Sequence, residues 1–306
     1  MAAYFLYNGI AESTRLTYTT PQRSLHEFTA AFGITEGLPP SELTICLWMA
    51  WLALRPVRYS TIRTYLYGVR SLCVDFGAGD PLKGNHRIHR VLRGIKRDQG
   101  ANSGLPPKLP VTFDLLRRIR SVVDPNSAAD RLHFAAIATA VSGLFRIGEL
   151  TVTRMKSADE QRRLRLSNLG WKGAYFDVTL LASKTDPFRE GVTVHVLHPI
   201  AVRAMALYLT QRSTALQSGS FLFADGHGQP LSRSALLAAT KAFLSKAGVP
   251  TSGYSGLSFR RGGATSLANA GVPDRLIKTL GRWRSWAYEV YIETSIDQLK
   301  AAILQL

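Results

Sequence analysis

LSFRRGGATSLANAGVPDRLIKTLGRWRSWAYEVYIE, residues 257–293, opens as a helix, breaks around Gly271–Pro273, resumes as PDRLIKTLG and ends in an aromatic helical segment. Gly and Pro supply the break, because neither continues a helix. The stretch places Arg260 at a helix start, Trp283 just after a Gly-containing stop, and Tyr291 near its end. Taken singly, Arg260 reads as a surface cation, Trp283 as a core aromatic and Tyr291 as an aromatic at the edge of a core. Tyr288 lies one helical turn before Tyr291. Their meaning comes from what precedes them.

Upstream lie two further segments with cations in unusual settings, GLFRIGEL (143–150) and SKTDPFREG (183–191). Arg146 sits among Leu144, Phe145, Ile147 and Leu150 where an apolar helix ends. A guanidinium there is costly unless it is paired, and Glu149 follows one turn on. Lys184 falls at the lip of a hairpin. Around it, LRLSNLGWKG, YFDVTLLASK and GVTVHVL alternate as three strands joined by Gly-containing turns, with TDPFRE as the last turn. Helical patterns flank these strands. Thr112 and Asp114 open LLRRIRSVV, another helix covers 128–141, and VRAMALYLTQR and SRSALLAATKAFLSKAG follow the strands. SIDQLKAAILQL closes the sequence as a short amphipathic helix.

Towards the N-terminus the pattern is entirely helical. Ser13-Thr14 start a helix that Gly33 stops, Pro40-Ser41 start the apolar run 43–54, and Ser60-Thr61 start YSTIRTYLYGVRSLCVDFG. The helix His86–Arg97 has Ile88, Val91, Leu92 and Ile95 on one stripe. Arg87, Arg90, Arg93, Lys96 and Arg97 gather opposite. A face of one sign repels itself and calls for an anionic partner. DQGANSGLPPKLP, 98–110, is rich in Gly, Pro and small polar residues and reads as a linker. The expected organisation is a helical domain over 1–98, a linker over 99–110 and a larger domain over 111–306. The fold class is α+β, mainly α, with a small antiparallel sheet.

The composition supports this. The 306 residues are 46% hydrophobic and 19% charged, which gives a packed core and excludes a disordered chain. Thirty-eight Lys and Arg against 21 Asp and Glu leave a formal charge of +17, which points to a polyanion partner, most simply nucleic acid. The two cysteines, Cys46 and Cys73, give neither a disulfide framework nor a CxxC metal site, so a reducing, intracellular setting and no metal are expected. No leader-like run opens the sequence, and the apolar run 43–54 is too short to span a bilayer, so no membrane is expected. GxGxxG, Walker A, HExxH and GxSxG motifs are absent.

GLFRIGEL, SKTDPFREG, SFRRGGAT and AGVPDRLIKTLGRWRSWAYEVYIE together resemble the tyrosine recombinases, or phage-integrase-type recombinases. They look most like the versions in eukaryotic mobile elements such as DIRS-type retroelements and Cryptons. STRLTYTTPQRSLHEF and TIRTYLYGVRSL resemble that family's core-binding domain. The resemblance implies that Arg146 and Arg260 are catalytic arginines, Glu149 supports Arg146, Lys184 is the β-hairpin lysine, Trp283 fills the His/Trp position and Tyr291 is the nucleophile. Tyr288 is the competing candidate. One position departs from the family pattern: Leu257 stands three residues before Arg260, where the family usually has His. Tyr254 and His195 are candidate substitutes.

The residue types suit the implied chemistry. Two guanidiniums neutralise a phosphodiester without metal. A phenol beside cations attacks it, and a lysine protonates the departing 5′ oxygen. The resemblance further implies double-stranded DNA as the partner, four protomers on paired sites, no cofactor, and nuclear residence in a eukaryotic host. Arg58, Arg63, Arg70, Arg87, Arg90, Arg93, Lys96 and Arg97 are the expected DNA-backbone contacts, with the two domains closing on the duplex. The alternatives are a catalytically impaired DNA-binding protein derived from a mobile element, for which Leu257 speaks, and a type IB topoisomerase-like activity.

Overall fold

The computed structural model describes residues 1–100, 108–152, 163–181, 191–210, 212 and 219–292. It divides into two compact units, Met1–Leu105 and Pro106–Leu306. Lys184, the hairpin turn around it and the C-terminal amphipathic segment 295–306 lie outside the described residues.

The first unit is helical. α1 (Ala2–Asn8) buries no residue, and its Tyr4, Phe5, Leu6 and Tyr7 side chains are exposed. α2 (Glu12–Ala31) is followed by Gly33 at φ +63°, a left-handed stop that glycine adopts without strain. α3 (Glu42–Ala53) begins where the Ser41 side chain accepts a hydrogen bond from the Thr44 N–H at 3.1 Å. α4 (Tyr59–Asp75) packs along α2, with Gly68 seated against the Pro21 ring. α5 (His86–Gly100) runs three residues past the expected Arg97. Trp48, Met49, Ile62, Val69, Ile88 and Ile95 are among the residues that form the core of this unit.

Both ends of α5 are pinned. The Glu42 carboxylate accepts from the Arg87 N–H at 2.9 Å. At the other end the Gln99 amide accepts from the Tyr59 N–H at 2.6 Å and donates to the Val57 carbonyl at 3.0 Å. These bonds fix the helix so that Ile88 and Ile95 face inward while Arg87, Arg90, Arg93, Lys96 and Arg97 stay exposed. The expected split of the helix into an apolar stripe and a basic face is therefore present.

The second unit is built around α7 (Ala128–Ser142), which is buried without a break from Phe134 to Val141. α6 (Phe113–Val122) is capped by Thr112, and α8 (Ile147–Leu150) is a single turn. The sheet β1 (Leu169–Trp171), β2 (Phe176–Leu180) and β3 (Val192–Val196) is antiparallel in that order. Leu169 pairs with Val178, and Val178 with Val194, in the expected meander. Phe176, Val178, Leu180, Val194 and Val196 turn into the core, the alternation a half-buried sheet requires. α9 (Pro199–Thr210), α10 (Arg233–Lys246), α11 (Ser258–Asn269) and α12 (Asp274–Leu280) complete the unit. The aromatic segment expected to be helical is a 3-10 helix, Trp286–Tyr291.

The paired glycines of SFRRGGAT explain how α11 reaches the centre. A side-chain carbon on Gly262 would lie 1.9 Å from the Val111 carbonyl oxygen, and one on Gly263 would lie 2.2 Å from that of Val141. Only bare backbone permits that approach. The Val111 N–H donates to the Ser258 carbonyl at 2.9 Å, so residue 111 is already held against the start of α11. Arg260 is thereby driven into the interior.

Candidate active site

Arg146 is the residue from which α8 starts. Its N–H donates to Glu149 Oε2 at 2.9 Å, and its own Nη1 donates to Glu149 Oε1 at 2.9 Å. Both bonds run from Arg146 to the Glu149 carboxylate, which is why a guanidinium survives beside buried Leu144, Phe145 and Ile147. Glu149 is the only acceptor of this guanidinium among the described residues. The Arg146 side chain is 26% exposed, so its other N–H groups can reach a ligand.

Arg260 is 1% exposed. Its Nη1 donates to the Leu144 carbonyl at 2.9 Å and its Nη2 donates to the Gly281 carbonyl. The guanidinium carbon lies 4.1 Å from the centroid of the Trp283 ring and 5.8 Å from that of Tyr291. Trp283 thus offers its face to a cation, a stacking arrangement worth more in a desolvated place than at the surface. The Trp283 and Tyr291 rings are 5.3 Å apart. Thr265 Oγ1 donates to the Tyr291 carbonyl at 3.1 Å, and Arg261 Nη1 donates to the Val290 carbonyl at 3.3 Å. α11 therefore holds both the arginine and the turn that carries Tyr291.

The two tyrosines differ. Tyr288 is 1% exposed, shares a small cluster with Leu144, Ala264 and Ile277, and its hydroxyl has no well-formed hydrogen bond. Burial, with the Asp274 carboxylate adding to it, raises its pKa. Tyr291 is half-buried at the edge of that cluster, against Trp283.

One residue that sequence reasoning missed completes the group. Arg282 Nη2 donates to Glu149 Oε2 at 2.8 Å, and its Nη1 donates to the Gly143 carbonyl at 3.2 Å. Nothing local marks it, because its carboxylate partner is 133 residues away in the chain. Arg282 and Leu144 are the two non-glycine residues with positive φ, +58° and +49°, among the described residues. Each such conformation costs about 1–2 kcal/mol for an L-residue and is kept only where the surroundings impose it.

Three guanidiniums thus lie close together: Arg146 and Arg282 bond to the Glu149 carboxylate, while Arg260, bonded to two carbonyls, feels the charges of all three. Burial, then the charges of Arg146 and Arg282, push the pKa of Arg260 down from 12.5 to about 9. It remains a cation at neutral pH. Burial also lowers the pKa of Arg282, against the pull of Glu149. Such a cluster is short of negative charge, and a phosphate is what would relieve it. No group of three or more His, Cys, Asp or Glu side chains suited to a metal occurs among the described residues.

The remaining candidates are placed as follows. Leu257 precedes α11 with its side chain 55% exposed and supplies no side-chain cap. His195, on β3, is engaged with Asp177 on β2, Nδ1 to Oδ1 2.6 Å, and Tyr254 packs against the main core of its unit. Arg58, Arg63 and Arg70 are exposed on α4 or just before it, and Arg70 pairs with Asp80 at 2.8 Å.

The profile of the Phage integrase family matches residues 111–291, more than half of the chain, and its last matched residue is Tyr291. The chain belongs to the phage integrase family. Among solved structures, this tyrosine recombinase family member is similar to the Tn1549 transposon integrase in complex with circular intermediate DNA. The TM-score there is 0.63 and the identity 15%, over 96% of this chain and 94% of that one. It is also similar to the XerH site-specific recombinase bound to a palindromic difH substrate, with TM-score 0.65 and 16% identity over 94% and 78%. A lambda integrase dimer bound to a COC′ core site gives TM-score 0.59 and 13% identity over 95% and 94%. The family member shares the fold of these proteins, mainly helical with one small antiparallel sheet. No curated protein sequence matches it. No helix among its described residues is long and apolar enough to cross a membrane.

Proposed function

We propose that this chain is a site-specific DNA recombinase that cuts and rejoins DNA through a 3′-phosphotyrosyl intermediate, without metal or ATP. The observation that carries the reading is the convergence of the Arg146, Arg260 and Arg282 guanidiniums with the Trp283 and Tyr291 rings on one small cluster. The resemblance to DNA-bound recombinases supports DNA as the ligand.

In this reading Tyr291 Oη attacks the scissile phosphorus, its proton passes to water, and the bond to the 5′ oxygen breaks. Lys184 protonates that oxygen. Arg146 and Arg260 neutralise the non-bridging oxygens as charge builds. The phosphotyrosyl ester keeps the energy of the broken bond, so a 5′ hydroxyl from another strand reverses the step. Arg260 is buried beneath the Trp283 ring, so it meets the phosphate when that ring swings aside while the backbone of the turn stays held. Each chain cuts one strand, and exchanging two duplexes therefore takes four copies. The first unit grips the backbone through the basic face of α5, and the second carries the chemistry.

Leu257 favours a second reading, a DNA-binding protein with impaired catalysis. A leucine neither donates to a phosphate nor accepts the phenol proton, and one lost preorganised donor typically lowers rate by about 10²–10³. One experiment separates the two. The chain is incubated in EDTA, without ATP, with a pool of nicked duplexes of randomised sequence, from which a short cut fragment diffuses away. A denaturant-stable protein–DNA adduct is expected. Binding without adduct at saturating DNA supports the second reading. Relaxation of supercoiled plasmid by the monomer, without sequence preference, supports a topoisomerase-like activity instead.

Affinity for DNA is expected to fall steeply with salt. Arg90 and Arg93 are exposed and have no ion-pair partner among the described residues, whereas Arg87 stands 3.9 Å from Glu42. Replacing Arg90 and Arg93 with Gln is expected to reduce the slope of log affinity against log salt by about 1.8, since each phosphate contact contributes about 0.9. Titration by fluorescence anisotropy at several salt concentrations measures this; an unchanged slope would remove α5 from the interface.

A further inference from the structure

We infer that Arg282 is a positioning residue for strand cleavage: through Glu149 it locks the turn carrying Trp283 and Tyr291 to the turn that presents Arg146. The inference rests on the reading of the chain as a strand-cleaving enzyme.

The Arg282 donors are already used inside the protein. Nη1 serves the Gly143 carbonyl, and Nη2 serves Glu149 and, at 3.4 Å, the Leu144 carbonyl. Nε is buried and has no partner, and the side chain is almost fully enclosed. Its guanidinium carbon stands 5.1 Å from the centre of the Phe145 ring. All these contacts fall within residues 143–149. It is tied to the machinery rather than aimed at a substrate. Arg146 is the opposite case, with one protein acceptor and an open side.

Glu149 divides its oxygens between the two arginines. Oε1 accepts from Arg146, while Oε2 accepts from Arg282 and from the Arg146 N–H. That division leaves the rest of the Arg146 fork free. With Arg282 gone, both carboxylate oxygens would have only Arg146 as a charged donor, and a bidentate pair would turn its fork away from a phosphate. The Trp283–Tyr291 turn would lose its tie to the same carboxylate. A displacement of about 1 Å at a reacting group costs on the order of 10²-fold in rate.

The test uses the duplex recovered from the randomised pool by the wild-type chain, so failure of the enzymatic reading shows beforehand as no wild-type adduct. Single-turnover adduct formation is followed across DNA concentration for wild type, R282Q, E149Q and the double variant. R282Q is expected to form adduct about 10²-fold more slowly at saturating DNA, with the half-saturating concentration nearly unchanged and a lower but still cooperative melting transition. The double variant is expected to be no slower than R282Q, because E149Q removes the carboxylate that captures Arg146. R282K keeps the charge but reaches fewer acceptors, and its rate is expected between R282Q and wild type. Should R282Q melt without a cooperative transition, R282K is judged by the same rate-against-affinity split. R282Q cleaving as fast as wild type, or a double variant slowed by the product of the two single effects, would overturn the inference.

Discussion

Tyr291→Phe is expected to abolish the covalent adduct, and Tyr288→Phe is expected to leave it near the wild-type rate. The two phenols are three residues apart in one 3-10 helix, yet their settings differ. Tyr288 points into the cluster of Leu144, Ala264 and Ile277, and burial and Asp274 hold its proton on more firmly than in a free tyrosine. A nucleophile needs the reverse, an accessible ring and cations that stabilise the developing phenolate. Tyr291 has these in the Arg260 guanidinium 5.8 Å from its ring centre and in its position at the edge of the cluster. Because the Tyr288 hydroxyl makes no well-formed bond, its loss should cost the fold little. Gel analysis of denatured reactions with labelled DNA reads both variants. Adduct retained by Tyr291→Phe and lost by Tyr288→Phe would reverse the assignment.

Arg260→Lys is expected to lower single-turnover cleavage by about 10²–10³-fold while DNA affinity changes little. The guanidinium donates in two directions, to the Leu144 and Gly281 carbonyls, while its face stacks on Trp283. A lysine ammonium is a point charge and cannot keep both bonds and the stack together. It would retain positive charge in the site but lose the planar fork that suits a phosphate. Binding rests mainly on the exposed cations of the first unit in this account, so affinity should survive. A variant that cleaves at the wild-type rate would show that Arg260 is a packing residue and that Arg146 alone meets the phosphate.

Much of this was legible in the sequence, for identifiable reasons. The amphipathic α5 and the β1–β2–β3 meander announce themselves through local periodicity, and the ends of α3 and α6 through Ser41 and Thr112. Arg146 and Glu149 could be paired from sequence because three residues in a helical turn bring side chains together. Arg282 could not, since its partner is supplied by a distant turn. The glycines of SFRRGGAT were visible as letters, but only the close approach to Val111 and Val141 explains them. The composition of 286–291 marks a helical segment without saying which kind. The fold tightens it into a 3-10 turn whose carbonyls at 290 and 291 are taken by Arg261 and Thr265. The Trp283 face over Arg260 is a feature that spacing alone does not reveal.

Peptide mapping of the trapped adduct by mass spectrometry addresses the account at its centre. The account predicts one modified peptide, carrying a nucleotide esterified through its 3′ phosphate to Tyr291, together with a free 5′ hydroxyl on the other DNA fragment. A nucleotide on any other residue, or a 5′ phosphate linkage, would contradict it.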